Sequence, residues 1–464
     1  MTQQPARTIA VLDVGKTNAK VALVDVGRLA EIAVRTRPNT VLTGGPYPHY
    51  DIDGHWAFFL DALAALNAET PIDAITVTTH GAAGVLVDAA GGLALPALDY
   101  EFAGPDALAA DYDAIRPPFA EIGSPRLPGG LNLGAQFHWQ SQRFPDAFAH
   151  TAAILMYPQY WGLRLTGIAA NEVTSLGAHT DLWNPLARDY SSLVDRLGWR
   201  GLFAPLRKAS DRLGAILPAI AAQTGLRPDT PVYCGLHDSN ASLLPHLLAR
   251  QPPFTVVSTG TWVICMAVGG RPVTLDPARD TLYNVNALGD PVASARFMGG
   301  REHALLTEGL AEGHGEADVA AVLARKLMLM PSIQPGSGPF PDSASAWLGD
   351  GPVSDGERRV AIAFYLALVT AECLALIGAD GPSIAEGPFA RNDLYIRMLA
   401  AATGRPVILA SGGGTGTSSG AALLVLNAAV PAMTHNVENS VETSDPLWTA
   451  YIGEWQGRMR LRLA

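Results

Sequence analysis

Cysteine is scarce in this sequence. Only Cys234, Cys265 and Cys373 occur among the 464 residues, each in an apolar segment and none in a CxxC pair. This pattern argues against a disulfide framework and against a zinc site. It favours buried, reduced thiols in a cytoplasmic protein.

Charge is also sparse, and no dense run of lysine and arginine occurs. Charged residues make up 16% of the chain, and the formal net charge is -11. An acidic protein without a basic stripe is a poor partner for nucleic acid. The 48% share of hydrophobic residues is instead typical of a well-buried globular enzyme.

Signals for export and membrane insertion are missing or weak. The chain does not begin with a basic flank followed by an apolar stretch, so we expect no signal peptide. The most apolar segment, residues 360–377, contains Glu372 and is of marginal length for a membrane span. We predict that it is a helix buried between domains and that the protein has no membrane partner.

The chain is long enough for two domains. A proline-containing run that begins at Gln251 suits a boundary, which gives domains at residues 1–250 and 251–464. Residues 100–150 are rich in proline and glycine. We predict that they form long loops and short helices that cap a site rather than a layer of the core.

Two similar hairpins are predicted, one in each half of the chain. Residues 11–21 contain an apolar run, a polar turn after Asp13 and a second apolar run, which is typical of a β-hairpin. Residues 254–264 repeat this pattern around Ser258-Thr259-Gly260-Thr261-Trp262. The repetition favours a duplicated fold over two unrelated domains.

The polar turns of both hairpins suit the phosphate chain of a nucleotide bound with magnesium. Backbone N–H groups around Gly15 and Gly260 can cradle phosphate oxygens. Asp13 can hold magnesium through waters, because magnesium dehydrates reluctantly. Hydroxyl donors and positive charges are available from Thr17, Thr259, Thr261, Lys16 and Lys20. One such turn alone is more often an ordinary turn, whereas two at matching places favour phosphate binding.

Asp238 is the candidate general base, because it ends an apolar strand predicted from residue 231. A sugar hydroxyl is too weak an acid to ionise beforehand, but an aspartate can take its proton as the oxygen–phosphorus bond forms. The alternative is that Asp238 caps the helix predicted over residues 241–249.

Four further polar residues are candidates for contacts with sugar hydroxyls. His80 and His237 follow strands and can supply neutral donors and acceptors. Asp99 and Glu101 can add carboxylate acceptors. The alternatives are structural roles for the histidines and a solvated loop for the two acids.

A glycine-rich loop, Ser411-Gly412-Gly413-Gly414-Thr415-Gly416-Thr417, resembles the glycine loop of tubulin-type GTPases. Only about fifty residues follow it, too few to complete such a nucleotide domain. A ribose or adenine contact at Gly412 and Gly413, or a plain tight turn, is the better interpretation. The sequence has no GxxxxGK[ST] P-loop, and no GxGxxG follows a first strand.

In order and spacing these motifs resemble the FGGY carbohydrate kinases, of the actin-like ATPase superfamily. Asp13-Val14-Gly15-Lys16-Thr17-Asn18-Ala19-Lys20 resembles the first phosphate motif of that family, and Ser258-Thr259-Gly260-Thr261-Trp262 resembles the second. Gly235-Leu236-His237-Asp238-Ser239 resembles the segment with the catalytic aspartate. Tyr160-Trp161-Gly162-Leu163-Arg164-Leu165-Thr166-Gly167, followed by Asn171-Glu172-Val173-Thr174, is similar to a stretch of the first domain.

The resemblance implies an α/β fold of two actin-like (ribonuclease H-like) ATPase domains with an interdomain cleft. It implies that ATP and Mg²⁺ bind in the cleft and that a hydroxyl of a small-molecule sugar or polyol is phosphorylated. The site residues that we expect are Asp238 as the base and Asp13 and Asp238 for magnesium; Gly15, Lys16, Thr17, Asn18, Lys20, Thr259, Gly260 and Thr261 for the phosphates; Gly387, Pro388, Asn392, Gly412 and Gly413 for adenosine; and His80, Gly81, Asp99, Glu101 and His237 for the sugar.

The His-Asp-Ser form around Asp238 is most similar to rhamnulokinases and fuculokinases, so we expect a ketose or deoxyketose acceptor. Some residues depart from the family pattern. Lys16 replaces a small residue, Lys20 replaces arginine, and Ala82-Ala83 falls where related kinases often have a sugar-contacting aspartate. In the adenine segment, Glu386-Gly387-Pro388 replaces a run of glycines.

Three other functions are compatible with the same fold. The altered motifs suit a weakened sugar or nucleotide sensor, although a sensor needs neither Asp13 nor Asp238 as a pair. A kinase of another polyol or of a pentulose is a second alternative. A phosphotransferase acting on a carboxylate has no support in the loops of the first domain. A homodimer is an open alternative to a monomer.

Overall fold

The computed structural model describes residues 6–349, 354–410, 416–426 and 445–463. The chain divides into two compact units. Unit 1 comprises Met1–Ala249, Tyr283–Pro291 and Gly412–Met433, and unit 2 comprises Arg250–Leu282, Val292–Ser411 and Thr434–Ala464. The domain bounds at residues 1–250 and 251–464 stay a prediction.

The first 249 residues of unit 1 contain thirteen strands and ten helices in their described part. The strands are β1 Thr8–Val14, β2 Asn18–Asp25, β3 Ala30–Pro38, β4 Val41–Leu42, β5 His49–Tyr50, β6 Ala74–Thr79, β7 Gly84–Asp88, β8 Thr151–Met156, β9 Trp183–Asn184, β10 Asp189–Tyr190, β11 Arg212–Ala215, β12 Pro231–Tyr233 and β13 Leu236–His237. The helices are α1 Ile52–Glu69, α2 Ala109–Ile115, α3 Phe119–Ile122, α4 Leu133–Arg143, α5 Pro145–Phe148, α6 Tyr157–Thr166, α7 Val173–Leu176, α8 Ser192–Arg196, α9 Pro218–Thr224 and α10 Asp238–Ala249.

The main sheet of unit 1 has the order β11-β12-β6-β1-β2-β3, with β13 also paired to β6. β1 and β2 form the predicted hairpin, in which Asp13 lies opposite Lys20. β1 is parallel to β6, and so is β13. The carboxyl ends of β1, β6 and β13 therefore meet at one edge of the sheet.

Alternation along β1 places a core on each face of this sheet. Ala10, Leu12 and Val14 join a cluster that includes Phe59 and Leu63 of α1. Ile9 and Val11 join a cluster on the opposite face that includes residues of α10. Helices therefore cover both faces, which explains why β1 is apolar at nearly every position.

The remaining elements follow residue 249. The strands are β14 Phe254–Thr259, β15 Val263–Val268, β16 Thr281–Val285, β17 Pro291–Phe297, β18 Met328–Met330, β19 Ala346–Leu348, β20 Ser383–Glu386 and β21 Val407–Leu409. The helices are α11 Gly299–Thr307, α12 Glu316–Arg325, α13 Asp355–Leu376, α14 Asp393–Thr403, α15 Thr417–Ala422, which belongs to unit 1, and α16 Pro446–Leu463.

The second large sheet, whose strands β14, β15, β20 and β21 belong to unit 2, repeats the plan of the main sheet of unit 1. Its order is β16-β17-β15-β14-β20-β21. β14 and β15 form the second predicted hairpin, and β14 is parallel to β20 just as β1 is parallel to β6. Both predicted hairpins are confirmed, and each lies beside a parallel strand that brings a second loop to its polar turn.

Helix α13 is long and apolar enough to cross a membrane by length and composition, and 72% of its most apolar window is buried. It packs against α12, α14 and β15 of unit 2. The prediction of a helix between domains therefore needs correction, because the partners that bury α13 are the core elements of one unit.

The region 100–150 also differs from the prediction. Short helices α2 to α5 are present, but α4 is buried from Leu133 to Gln140. Leu133, Ala135 and Phe137 belong to a core cluster that includes Trp199. This region is therefore partly a core layer, because α4 has enough apolar side chains to pack despite the surrounding proline and glycine.

Candidate active site

The polar turn of the first hairpin is held by an asparagine that the sequence did not single out. The Gly15 N–H donates to the Asn18 carbonyl at 2.9 Å, which closes the turn. Asn39 donates its backbone N–H to the Thr17 carbonyl at 2.8 Å. Its side-chain amide donates to the Gly15 carbonyl at 2.8 Å. Thr17 and Asn18 are exposed, so this turn presents their polar groups outward on a fixed backbone.

Asp13 is a buried carboxylate beside a lysine. It is 9% exposed, and the Lys20 Nζ lies 3.3 Å from its Oδ2. Lys20 also contacts Glu31 at 2.9 Å. Burial raises the pKa of Asp13, the Lys20 charge lowers it, and the nearby Asp238 carboxylate raises it. Lys20 therefore compensates Asp13 within unit 1, in a position predicted for phosphate contact.

Asp238 follows β13 directly and is the first residue of α10. Its Oδ1 accepts a hydrogen bond from the Ser239 N–H at 2.6 Å and lies 3.0 Å from the His237 Nε2. Burial works to raise the pKa of Asp238, but the charge and hydrogen bond of His237, with His80 and the Ser239 N–H, bring it below its usual value. The carboxylate thus lies at a helix N-terminus, as the capping alternative expected, and also next to two histidines.

The hydrogen bond between His237 and Asp238 has one possible direction. An ionised carboxylate can only accept, so the His237 Nε2 carries a hydrogen and donates to Asp238. The His237 Nδ1 lies 3.4 Å from the Asn240 Nδ2. The Cα of Gly81 lies so close that a Cβ there would be 2.8 Å from the His237 Nε2. Gly81 therefore allows His237 to reach Asp238.

His80 has one ring nitrogen that finds no partner in the described part of the chain. Its Nδ1 donates to the Gly81 carbonyl at 2.8 Å, whereas its Nε2 is buried without a hydrogen bond. The rings of Tyr50, Tyr100 and Tyr157 lie 5.2, 5.4 and 5.5 Å from the imidazole. Burial lowers the pKa of His80, so the Nε2 is a neutral acceptor. It suits a hydroxyl donor.

Glu172 lies behind His237 and was noted in the sequence only as part of a family motif. It is 1% exposed, and burial raises its pKa from 4.5 to about 7. Its Oε2 accepts from the Thr174 hydroxyl at 2.5 Å. The same hydroxyl oxygen accepts from the His237 N–H at 2.9 Å. Glu172 and Thr174 therefore fix the backbone at His237 from the interior.

Lys16 does not extend outward from the first hairpin. Its Nζ forms a hydrogen bond and an ion pair with the Asp99 Oδ1 and lies 3.1 Å from the Glu101 Oε2. It also lies 4.6 Å from the centre of the Tyr100 ring. The side chain of Asp99 is 9% exposed and that of Glu101 is 64% exposed. The solvated-loop alternative therefore describes Glu101, whereas Asp99 is buried and paired.

In unit 2 the Thr259 side chain holds the second hairpin in place through two hydrogen bonds. The Thr259 hydroxyl donates to the Glu386 carbonyl at 2.6 Å and accepts from the Phe389 N–H at 3.1 Å. A Cβ at Gly387, whose φ is +84°, would overlap the Thr259 carbonyl oxygen. The Thr259 hydroxyl is therefore already used within the unit. Gly260 and Thr261 are exposed at the tip of the turn.

Of the other predicted adenosine residues, Asn392 borders a pocket of unit 2. Asn392 caps α14 by accepting from the Tyr395 N–H at 3.2 Å. With His303, Thr307 and Leu394 it lines a cavity of about 220 Å³. Pro388 begins the 3₁₀ turn Pro388–Arg391, which ends just before Asn392. Gly412 and Gly413 lie outside the described residues.

The described residues contain no group of three or more His, Cys, Asp or Glu side chains that could hold a metal ion. The chemistry of Asp13 and Asp238 nevertheless fits magnesium, because two nearby carboxylates supply hard oxygen ligands. Magnesium usually takes one or two carboxylates and completes its shell with waters and phosphate oxygens.

Residues 251–434 match the family "Carbohydrate kinase FGGY, C-terminal domain", and residues 131–245 match "FGGY family of carbohydrate kinases, N-terminal domain". The crystal structure of a carbohydrate kinase from Novosphingobium aromaticivorans is 38% identical, with a TM-score of 0.89, over 99% of this chain and 100% of that one.

Other relatives are more distant. An L-fuculokinase from Salmonella typhi is 25% identical over 272 residues, which span 57% of this chain and 57% of that protein. A glycerol kinase from Plasmodium falciparum, solved with ADP, is 12% identical with a TM-score of 0.79 over 99% of each chain and shows the fold alone. These likenesses confirm the predicted α/β fold of two actin-like domains.

Proposed function

Because the chain belongs to the FGGY family of carbohydrate kinases, which use ATP as phosphate donor, we propose that it transfers the γ-phosphoryl group of ATP to a hydroxyl of a small sugar or polyol. One arrangement in unit 1 carries this proposal. The Asp238 carboxylate and the free Nε2 of His80 stand where the parallel strands β13 and β6 end side by side.

Asp238 is the proposed general base. As the acceptor oxygen bonds to phosphorus, its hydroxyl proton passes to the Asp238 carboxylate, and ADP leaves with the electron pair of the broken bond. The low pKa of Asp238 keeps it ionised before the reaction. The hydrogen bond from His237 at 3.0 Å orients the carboxylate.

The acceptor would bind in unit 1. The His80 Nε2 accepts a hydrogen bond from one hydroxyl, and Gly81, Asp99, Glu101 and His237 complete the proposed contacts. Ala82, where relatives often have an aspartate, is 3% exposed and offers no polar atom in its side chain. The match with an L-fuculokinase supports a ketose or deoxyketose as the acceptor.

The nucleotide contacts are proposed from both hairpins and from the pocket of unit 2. Gly15, Thr17 and Asn18, with Gly260 and Thr261, would bind phosphate oxygens. Thr259 would act by holding the second turn, and Lys20 by compensating Asp13. Gly387, Pro388 and Asn392 would contact adenosine. Asp13 and Asp238 would hold magnesium, which supplies charge neutralisation to the phosphates.

The test is an ADP-release assay over a panel of ketoses, pentuloses and polyols, with a non-hydrolysable ATP analogue to measure binding. We expect turnover with at least one acceptor. Asp238→Asn should lower kcat by about 10²–10⁴-fold and retain binding of the analogue. Asp146→Asn, at an exposed residue of α5, is the matched control and should keep full turnover.

Two outcomes would contradict the proposal. Undiminished turnover in Asp238→Asn would overturn the assignment of the base. If no acceptor released ADP while a sugar still raised the melting temperature, the sensor function would replace the kinase function. Cytoplasmic location, a homodimer and the absence of nucleic-acid and membrane partners stay predictions.

A further inference from the structure

Lys16 belongs by sequence to a phosphate turn, but its ammonium lies among residues proposed for the sugar. We propose that Lys16 and Asp99 form a charged pair that binds two neighbouring hydroxyls of a neutral polyol and sets acceptor specificity. The inference rests on the proposed function and names the class of substrate that unit 1 selects.

Asp99 is a buried carboxylate that is paired with Lys16. Its residue is 6% exposed, and its Oδ1 accepts from the Lys16 Nζ and from the Glu101 N–H at 3.3 Å. Its backbone N–H donates to the Pro48 carbonyl at 3.1 Å, which fixes the loop. A buried carboxylate needs a counter-charge. If Lys16 turned to a phosphate, Asp99 would lose the cation with which it pairs.

The Lys16 ammonium and the His80 imidazole lie near the same two tyrosine rings. The Lys16 Nζ lies 4.6 Å from the centre of the Tyr100 ring and 5.7 Å from that of Tyr50. The His80 imidazole lies 5.4 Å and 5.2 Å from the same two rings. The Lys16 charge also contributes to the lowered pKa of His80. The Lys16 ammonium and the free Nε2 of His80 therefore lie in one region that is bordered by the rings of Tyr50 and Tyr100.

Lys16 and Asp99 each keep a polar group that can bind a hydroxyl. An ammonium has three donors, and Asp99 and Glu101 use two of them. The Asp99 Oδ2 contacts no donor among the hydrogen bonds of the described residues, which leaves an acceptor. One free N–H and one free carboxylate oxygen side by side match two adjacent hydroxyls, one accepting and one donating.

The charge of the group sets the selection. Lys16 carries one positive charge, and Asp99 and Glu101 carry two negative charges, so the group is negative before the acceptor arrives. A sugar acid or a sugar phosphate would meet this excess charge at short range, where repulsion is strong. Neutral ketoses and polyols are therefore favoured over anionic acceptors.

Lys16→Met tests the pair, and Lys20→Met is its matched control, because both lysine side chains are 25% exposed and both are paired with aspartate. We expect Lys16→Met to raise the KM for the acceptor at least tenfold, with the KM for ATP and the affinity for a non-hydrolysable analogue within twofold. Lys20→Met should raise the KM for ATP instead. A tenfold loss of analogue affinity in Lys16→Met, with an unchanged acceptor KM, would overturn the proposal.

Two additions keep the test decisive. If Lys16→Met does not fold, the double variant Lys16→Met/Asp99→Asn removes both charges together and is expected to show the same rise in acceptor KM. Glu101→Gln, which removes the excess negative charge, should raise kcat/KM for an aldonate relative to the neutral sugar at least fivefold. An unchanged ratio would contradict the selection by charge.

Failure of the kinase function would be seen separately. If the wild-type chain released no ADP with any acceptor, binding would be measured by the shift in melting temperature. Neutral sugars that stabilise the wild type but not Lys16→Met would then support the Lys16–Asp99 pair although the kinase function had failed. Equal stabilisation of both proteins would reject the pair as well.

Discussion

The Cα of Gly81 lies against the imidazole of His237, where a Cβ would come within 2.8 Å of the Nε2. That nitrogen donates to Asp238, so Gly81→Ala would push the imidazole away from the carboxylate. We expect kcat/KM to fall about 10–100-fold, since small displacements of a catalytic group are costly. Steady-state kinetics measure this. Gly44→Ala, where a Cβ meets nothing within 4 Å, is the control. Full activity in Gly81→Ala would contradict the role of this contact.

Gly300 supports the second polar turn from the first residues of α11. Its N–H donates to the Thr261 carbonyl at 3.2 Å, and a Cβ at residue 300 would overlap the Gly260 carbonyl oxygen. Gly300→Ala should therefore displace the turn and raise the KM for ATP by about tenfold. Gly453→Ala lies in α16 of the same unit, has open space around its Cβ, and should be neutral or stabilising by about 0.5–1 kcal/mol. Equal kinetics in the two variants would refute this prediction.

Substitutions at Thr259 and Thr261 should differ in their effect on the stability of the protein. The buried Thr259 hydroxyl bonds to the Glu386 carbonyl and to the Phe389 N–H, and Thr259→Val removes both hydrogen bonds. We expect the free energy of unfolding to fall by about 1–3 kcal/mol. Thr261→Val, at an exposed position, should change it by less than about 0.5 kcal/mol. Urea unfolding of both variants measures the change. Equal losses in the free energy of unfolding would argue against a stabilising role of the Thr259 hydroxyl.

Glu172 should make stability depend on pH. Because burial raises its pKa from 4.5 to about 7, the folded chain keeps a proton that the unfolded chain has lost between these values. Stability therefore falls as the pH rises through this window. Glu172→Gln removes the titration and retains an acceptor for Thr174, so its advantage over the wild type should grow from near zero at pH 4.5 to about 3 kcal/mol at pH 8.

The pH dependence of unfolding in urea measures the effect of Glu172→Gln. Glu308→Gln, at an exposed carboxylate, serves as the control. Parallel stability curves for Glu172→Gln and the wild type would show that the Glu172 proton is not retained on folding.

Several features could be predicted from the sequence because they depend on local order. Two apolar runs separated by a polar turn predicted each hairpin, since strand pairing across a short turn needs few distant contacts. The end of an apolar strand placed Asp238 at a sheet edge. Gly15 and Gly260, with the polar residues beside them, predicted the polar turns of the two hairpins. The order of these motifs indicated the family, which the comparisons confirmed.

Other features depended on which distant residues the fold brings together. The partner of Lys16 is 83 residues away at Asp99, and the partner of the Thr259 hydroxyl is 127 residues away at Glu386. In the sequence, Glu172 was only part of a family motif, whereas the structure shows it buried behind His237. The sequence itself determined the two hairpins and their polar turns. Only the tertiary structure decided whether each polar group faces a ligand or another part of the chain, because buried charges and hydroxyls bind whichever partner the packing places beside them.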